Sequence, residues 1–232
     1  LRKSLAHSYR LTAFIAAGVL ILSQSFASLV LTGLHTPSNI IGMSLLYLRI
    51  IFCGIPATAA YNMFASALRA MGNSKTPLTA MIIASVLNVS LDILFVAGFG
   101  WGVAGAAIAT VIAQSFSAVY CFLILRRIDI VHLTRADFMP ASGMNARLMK
   151  LGIPVVFQNI IIGVGGLVVQ YVINGYGFLF VAGFTATNKL YGLLEMAAIS
   201  YGYAIVTYVG QNLGAGKIDR IRKGVRSSML LS

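Results

Sequence analysis

Charged side chains are scarce in this sequence. They make up only 9% of its 232 residues, whereas a soluble domain typically carries roughly 25%. Hydrophobic residues account for 59%, and the mean hydropathy is +0.89. So few charges could not cover a water-facing surface, so the composition excludes a soluble globular domain and indicates a membrane protein.

Cysteine and histidine are also few. Cys53 and Cys121 both lie in apolar stretches without a CxxC pair, which argues against a disulfide framework or a thiolate metal centre. The three histidines, His7, His35 and His132, are far apart in or beside loops. HExxH, GxSxG and paired carboxylates do not occur. We therefore expect neither an enzyme nor a resident cofactor.

Acidic residues number only five against 17 Lys and Arg, which gives a net charge of +12. The basic residues cluster between apolar stretches, without interleaved aromatic residues or a base-reading motif. Nucleic-acid binding is therefore not expected. The basic segments instead indicate cytoplasmic loops of a multi-pass protein of the cell (inner) membrane.

Six apolar stretches are long enough to span a bilayer, at about 11–33, 43–68, 77–97, 103–125, 152–174 and 179–208. The segments before, between and after them alternate regularly between basic and free of Lys and Arg. This alternation predicts an all-α, polytopic helix bundle with both chain ends in the cytoplasm. Trp101 lies at an uncharged outer turn, where an aromatic belt residue is expected.

The polar connection at 127–150 divides the spans into two groups. Beyond it, Gly152-Ile153-Pro154 repeats Gly54-Ile55-Pro56, and residues 221–228 repeat part of residues 1–8. Such echoes are typical of transporters built from internal repeats. The sequence starts without Met and stops after an apolar stretch, so we expect it to be a window from a longer protein.

Three groups of motifs follow one another along the chain. They are Tyr47-Leu48-Arg49-Ile50 with Gly54-Ile55-Pro56 and the segment 67–77 (ALRAMGNSKTP); 88–95 (NVSLDILF) with 102–110 (GVAGAAIAT); and 209–220 (VGQNLGAGKIDR). In order and spacing they resemble the multidrug and toxic compound extrusion (MATE) family.

The resemblance implies twelve helices in two six-helix lobes. Residues 1–126 would be helices three to six of the first lobe, 127–150 the cytoplasmic linker, and 151–232 helices seven, eight and the start of nine. The resemblance also implies an antiporter, monomeric when complete, that sits in membrane lipid and exports organic cations in exchange for Na⁺ or H⁺. The alternative is a lipid-linked oligosaccharide flippase of the same superfamily, which should line its cleft with more bases than the intramembrane Arg49 and Lys189.

Asp92 and Glu195 are the only acids within the apolar stretches, where a carboxylate is costly and indicates function. Two polar stripes are predicted to face each other across an outer turn: Ser85, Asn88 and Asp92 on one helix, and Thr110, Gln114 and Ser117 on the next. Oxygen ligands of this kind suit Na⁺, while a buried Asp92 could instead carry a proton. The resemblance independently implies cation coupling at Asn88, Asp92 and Thr110, joined by an Asp that would precede Leu1.

Glu195 shares a helix face with Asn188 and Tyr191. This face is either a cleft for a cationic substrate or a structural charge network, and both readings stay open. Gln158 and Asn159 are further candidates for the cleft. Some relatives are expected to carry an acid around Gln158, so the amide there shifts the predicted coupling site to Asp92. Arg49 is expected to be structural, and Pro56 to kink its helix.

Overall fold

The computed structural model describes residues 2–33, 38–128, 134–139, 143–176 and 178–231, and most of them are helical. The elements are α1 (Arg2–Gly33), α2 (Ser38–Cys53), α3 (Ile55–Ala70), α4 (Lys75–Asp92), a π-helical turn (Ile93–Gly98), α5 (Gly102–Arg126), a 3₁₀ turn (Arg135–Phe138), α6 (Met144–Asn174), α7 (Phe178–Gly214) and α8 (Ile218–Leu231). No strand occurs in these ranges, which confirms the predicted all-α class. His35 and His132 lie outside the described residues.

Six helical segments of the described residues are long and apolar enough to cross a membrane. They are Arg2–Gly33, Asn39–Ala70, Lys75–Gly98, Gly102–Arg126, Met144–Ile173 and Gly183–Gly214. Each overlaps one predicted stretch, so the six-span count is confirmed and the chain is a multi-pass membrane protein.

The helices extend beyond the predicted apolar stretches. Residues 144–150, which the prediction assigns to the linker, form the first two turns of α6. A helix satisfies its backbone hydrogen bonds whatever its side chains are, so apolarity marks the hydrocarbon layer rather than the helix end. Long bases such as Arg147 and Lys150 can reach the polar interface from these turns.

Residues 1–145 form one compact unit. Within it α5 packs against α2, α3 and α4, while α1 packs against α2 and α3. The buried core at one end of this unit consists of Tyr61, Ala65, Ala67, Leu68, Ala80, Ala118, Cys121 and Leu125. Small residues dominate it because close helix approach drives packing in a bilayer, where burial from water does not.

The second predicted span is interrupted rather than merely bent. α2 ends at Cys53, and Pro56 lies in the first turn of α3, where its missing N–H is tolerated. Gly54 closes the break by donating its N–H to the Ile51 carbonyl at 2.9 Å. The Gln24 side chain of α1 donates to the Arg49 carbonyl at 2.8 Å. The structure thus shows a supported break where the sequence predicts a kink.

Residues 146–232 form the second compact unit. In it α7 packs against α8, and the Tyr208 hydroxyl donates to the Arg220 carbonyl at 3.0 Å. A Cβ at Gly224 would collide with the Tyr208 ring, so glycine permits this close approach. Among the side chains that the structure describes, none in the most apolar windows of α6 and α7 is buried.

Glycine caps one helix in each unit in the same way. Gly72 follows α3 with φ +86°, and Gly216 follows α7 with φ +70°. The next residue donates its N–H to the carbonyl five residues back in both turns, Asn73 to Leu68 and Lys217 to Asn212, each at 2.9 Å. This is the Schellman cap, which needs the left-handed backbone that glycine adopts without strain.

Candidate cation site between α4 and α5

The antiparallel helices α4 and α5 place Asn88 opposite Thr110. The Asn88 Nδ2 atom donates to the Thr110 Oγ1 atom at 3.5 Å, the long limit of a hydrogen bond. Thr110 in turn donates its hydroxyl to the Ala106 carbonyl at 3.0 Å. The two side chains therefore converge as the i, i+3, i+7 spacing and the turn length predict. The side-chain amide oxygen of Asn88 still has accepting capacity.

Asp92 lies one helical turn beyond Asn88, at the last residue of α4. Its side chain is half-buried, and its Oδ1 atom is buried without a hydrogen-bond partner among the described residues. A buried carboxylate oxygen is costly unless a proton, a cation or a donor compensates it. Asp92 is therefore equipped to bind a cation or to take up a proton.

The backbone changes character directly after Asp92. The segment Ile93–Gly98 is π-helical, and it leads into an aromatic cluster of Phe95, Phe99 and Trp101 at the outer turn. The backbone N–H of Trp101 donates to the backbone carbonyl of Phe95 at 2.9 Å. Single π-helical turns occur frequently at functional sites. This turn is a feature that hydropathy and residue spacing do not reveal.

A polar cavity of about 150 Å³ lies beside Asn88 and Thr110. Its lining consists of Tyr61, Met81, Ala84, Ser85, Asn88, Thr110, Ala113, Gln114 and Ser117. The two predicted polar stripes thus line one cavity, except that Asp92 is not part of the lining. Tyr61 was not among the residues predicted from the sequence, although a tyrosine among the alanines of α3 was a usable signal.

The α5 hydroxyls present oxygen lone pairs. Ser117 donates to the Ala113 carbonyl at 3.2 Å, as Thr110 does to Ala106, so each hydroxyl proton is used within its own helix. The remaining hydroxyl lone pairs and the amide oxygens are acceptors. The described residues contain no group of three or more His, Cys, Asp or Glu placed to hold a metal ion. One carboxylate with neutral oxygens is a donor set for a hard cation such as Na⁺.

The five predicted cleft residues lie on the second unit. Gln158 and Asn159 are on α6, and Asn188, Tyr191 and Glu195 are on α7; all five side chains are exposed. The Asn159 side chain donates to the Val155 carbonyl of its own helix at 2.9 Å. Their role in a substrate cleft stays a prediction.

The MatE family model matches residues 1–94 and 154–232, so the chain belongs to the MatE family. The probable multidrug resistance protein YpnP of Bacillus subtilis is 35% identical over 84% of this chain and 44% of its own length. The multidrug export protein MepA of Staphylococcus aureus is 24% identical over 90% of the chain and 47% of its own.

Solved structures agree at the level of the fold. The outward-facing conformation of a multidrug resistance MATE family transporter of the MOP superfamily matches with a TM-score of 0.90 and 20% identity. This match covers 99% of the chain and 52% of that structure. The chain spans about half the length of the relatives it matches.

Proposed function

We propose that this chain forms the central part of a secondary active antiporter that exports organic cations in exchange for Na⁺ or H⁺. The buried Oδ1 atom of Asp92, without a partner among the described residues and one helical turn beyond Asn88, is the observation that carries the proposal. The names of the related proteins, which describe multidrug resistance and export, support the transport role.

Coupling follows from the cost of an unpaired buried carboxylate. A cation or proton bound at Asp92 removes that cost and so favours whichever conformation of the first unit holds it. Alternation between conformations with different affinities for ion and substrate then links the two fluxes. Na⁺ would use the carboxylate with the Asn88 and Thr110 oxygens, whereas H⁺ would need the carboxylate alone.

The substrate is an amphiphilic organic cation in this proposal. The exposed Glu195 carboxylate, with Asn188 and Tyr191 on the same helix, supplies charge and polar contacts, and the apolar surroundings accept the rest of the molecule. The complete protein is a monomer in the cell membrane, with the basic ends of this chain on the cytoplasmic side.

Efflux of a fluorescent organic cation from vesicles tests the coupling site. In the complete transporter, Asp92→Asn should reduce gradient-driven efflux at least about tenfold under both Na⁺ and H⁺ gradients, since it removes the carboxylate charge that this chain supplies to the site. Ser90→Ala is the control, because that hydroxyl is exposed and donates to the Val86 carbonyl of its own helix.

Variants at Asn88 and Thr110 distinguish Na⁺ from H⁺ as the coupling ion. If Na⁺ is coupled, Asn88→Ala and Thr110→Val should raise the Na⁺ concentration needed for half-maximal efflux. If H⁺ is coupled, they should mainly shift the pH profile. Unchanged efflux in a well-expressed Asp92→Asn variant would refute the proposed coupling site.

A further inference from the structure

The polar cavity between α4 and α5 ends against the buried core of the first unit. Tyr61 belongs to both, since it lines the cavity and is a member of the core cluster. Its side chain is only 8% exposed, and its hydroxyl donates to the Pro77 carbonyl at 3.4 Å. Pro77 lies in the first turn of α4, so this contact is on the side of the α3–α4 turn.

We propose that this cavity is a hydrated vestibule for the coupling cation, and that Tyr61 with the core behind it seals the vestibule toward the α3–α4 turn. The proposal rests on the antiporter function given above. It adds a route to the coupling site and a residue that blocks this route at one end.

The vestibule runs along the two helices for about 10 Å, from Met81 to Asn88 on α4 and from Ser117 to Thr110 on α5. Its volume of about 150 Å³ holds several water molecules. Polar cavities of this size contain water, whereas purely apolar ones stay dry. The lining therefore indicates a wet space that leads to the Asn88–Thr110 pair.

The lining supplies neutral oxygen acceptors, and one carboxylate lies beyond it. The Thr110 and Ser117 hydroxyl protons are directed to backbone carbonyls, and Thr110 also accepts from Asn88, so each oxygen keeps some accepting capacity. The lining contains no charged residue, and the Asp92 carboxylate lies one turn beyond its Asn88 end. The matching ligand is a partly hydrated monovalent cation, because the carboxylate beyond these neutral oxygens favours positive charge.

The seal is dry and closely packed. Behind Tyr61, the side chains of Leu68, Cys121 and Leu125 are almost completely buried. Ala65 and Ala80 complete the contact between α3, α4 and α5 at 0% exposure. A cation would have to shed its water to pass such a core, which costs several kcal/mol. An unsealed vestibule would allow ions to leak without substrate export.

Two positions one turn apart on α5 test the proposal. Ser117 lines the vestibule, and Cys121 lies on the same helix face within the seal. We compare labelling of the native Cys121 in the Cys53→Ala protein with labelling of Ser117→Cys in the Cys53→Ala, Cys121→Ala protein. The probe is 2-aminoethyl methanethiosulfonate, a small cationic thiol reagent, applied to the complete transporter in vesicles and quantified by mass spectrometry.

The cysteine at position 117 should react at least about tenfold faster than Cys121. It should also prefer the cationic reagent over its anionic 2-sulfonatoethyl analogue, after correction for their rates with a free thiol. Equal rates at the two positions, or a preference for the anionic reagent, would overturn the vestibule.

Tyr61 variants test the seal. Tyr61→Ala should make Cys121 reactive and add an ion leak without substrate, whereas Tyr61→Phe should show a smaller increase because the ring stays in place. If the alanine variant does not fold, Tyr61→Leu takes its place in the same measurement. The control is Phe14→Ala, a change at a side chain on α1 that is 69% exposed. Cys121 that stays unreactive in folded Tyr61→Ala or Tyr61→Leu would refute the seal.

Labelling does not require transport. If labelling follows the expected pattern while Asp92→Asn leaves efflux unchanged, the vestibule stands and the coupling function fails. If Asp92→Asn abolishes efflux while positions 117 and 121 react alike, the function stands and the vestibule fails.

Discussion

The tripeptide Gly-Ile-Pro occurs twice, and the two copies have different structures. Gly54-Ile55-Pro56 separates α2 from α3, whereas Gly152-Ile153-Pro154 lies inside the single helix α6. At the first copy, a Cβ on Gly54 would lie 3.0 Å from both the Ile51 carbonyl oxygen and Val111 Cγ2 of α5. At the second, a Cβ on Gly152 would meet nothing within 4 Å. The helix is interrupted at the copy that another helix contacts, and it continues through the copy where no such contact occurs among the described residues.

The two compact units also differ in how their helices pack. In the first, three helices, α3, α4 and α5, share a buried core, and α5 contacts three other helices. In the second, none of the described side chains in the apolar windows of α6 and α7 is buried. Polar side chains between packed helices can form a defined cavity, as they do between α4 and α5. The environment of a polar side chain on an exposed helix, such as Glu195, is set by whatever element covers that helix.

The largest expected difference in stability is between two leucines, one buried in the first unit and one exposed in the second. Leu68 is 0% exposed and Leu167 is 70% exposed. Leu68→Ala should destabilise the protein by about 2 kcal/mol or more, because it leaves a cavity in the core. Leu167→Ala should cost less than about 0.5 kcal/mol. Thermal unfolding of the complete transporter in detergent measures both; a similar loss at Leu167 would show that another element covers α6.

The next effect concerns the two Gly-Ile-Pro copies. Gly54→Ala should destabilise by about 1–3 kcal/mol, since the new Cβ is too close to Ile51 and Val111. Gly152→Ala has open space and should be neutral or stabilising by up to about 1 kcal/mol. The same unfolding measurement compares the pair. Equal effects would mean that packing does not distinguish the copies.

The smallest expected difference is between the two glycine caps. Gly72→Ala and Gly216→Ala each force a left-handed backbone on alanine, at about 1 kcal/mol apiece. Because the strain is local, the two costs should agree within about 0.5 kcal/mol although the units pack differently. A clearly larger loss at Gly72 would show that this cap also supports tertiary contacts of the first unit.

Much of the candidate site could be predicted from residue spacing. Helical periodicity places Ser85, Asn88 and Asp92 on one face, and the short antiparallel turn predicts that Thr110 lies at a depth similar to that of Asp92. Periodicity could not show that Asp92 would lie outside the cavity lining, because it predicts the helix face of a residue but not how far a cavity extends along that face. Nor could it place Tyr61 at the end of the cavity, because that contact joins α3 to α4 and α5.

The sequence by itself determined that the chain lies in a membrane, that it is helical and how many spans it has. These properties follow from the cost of placing charge and unpaired backbone groups in hydrocarbon. It also determined the glycine caps, which depend on a few neighbouring residues. Only the tertiary structure decided that Gly54 interrupts a span while Gly152 does not, and that Tyr61 lies between a polar cavity and a dry core. These features depend on contacts between helices distant in sequence, where close packing rather than hydropathy distinguishes one arrangement from another.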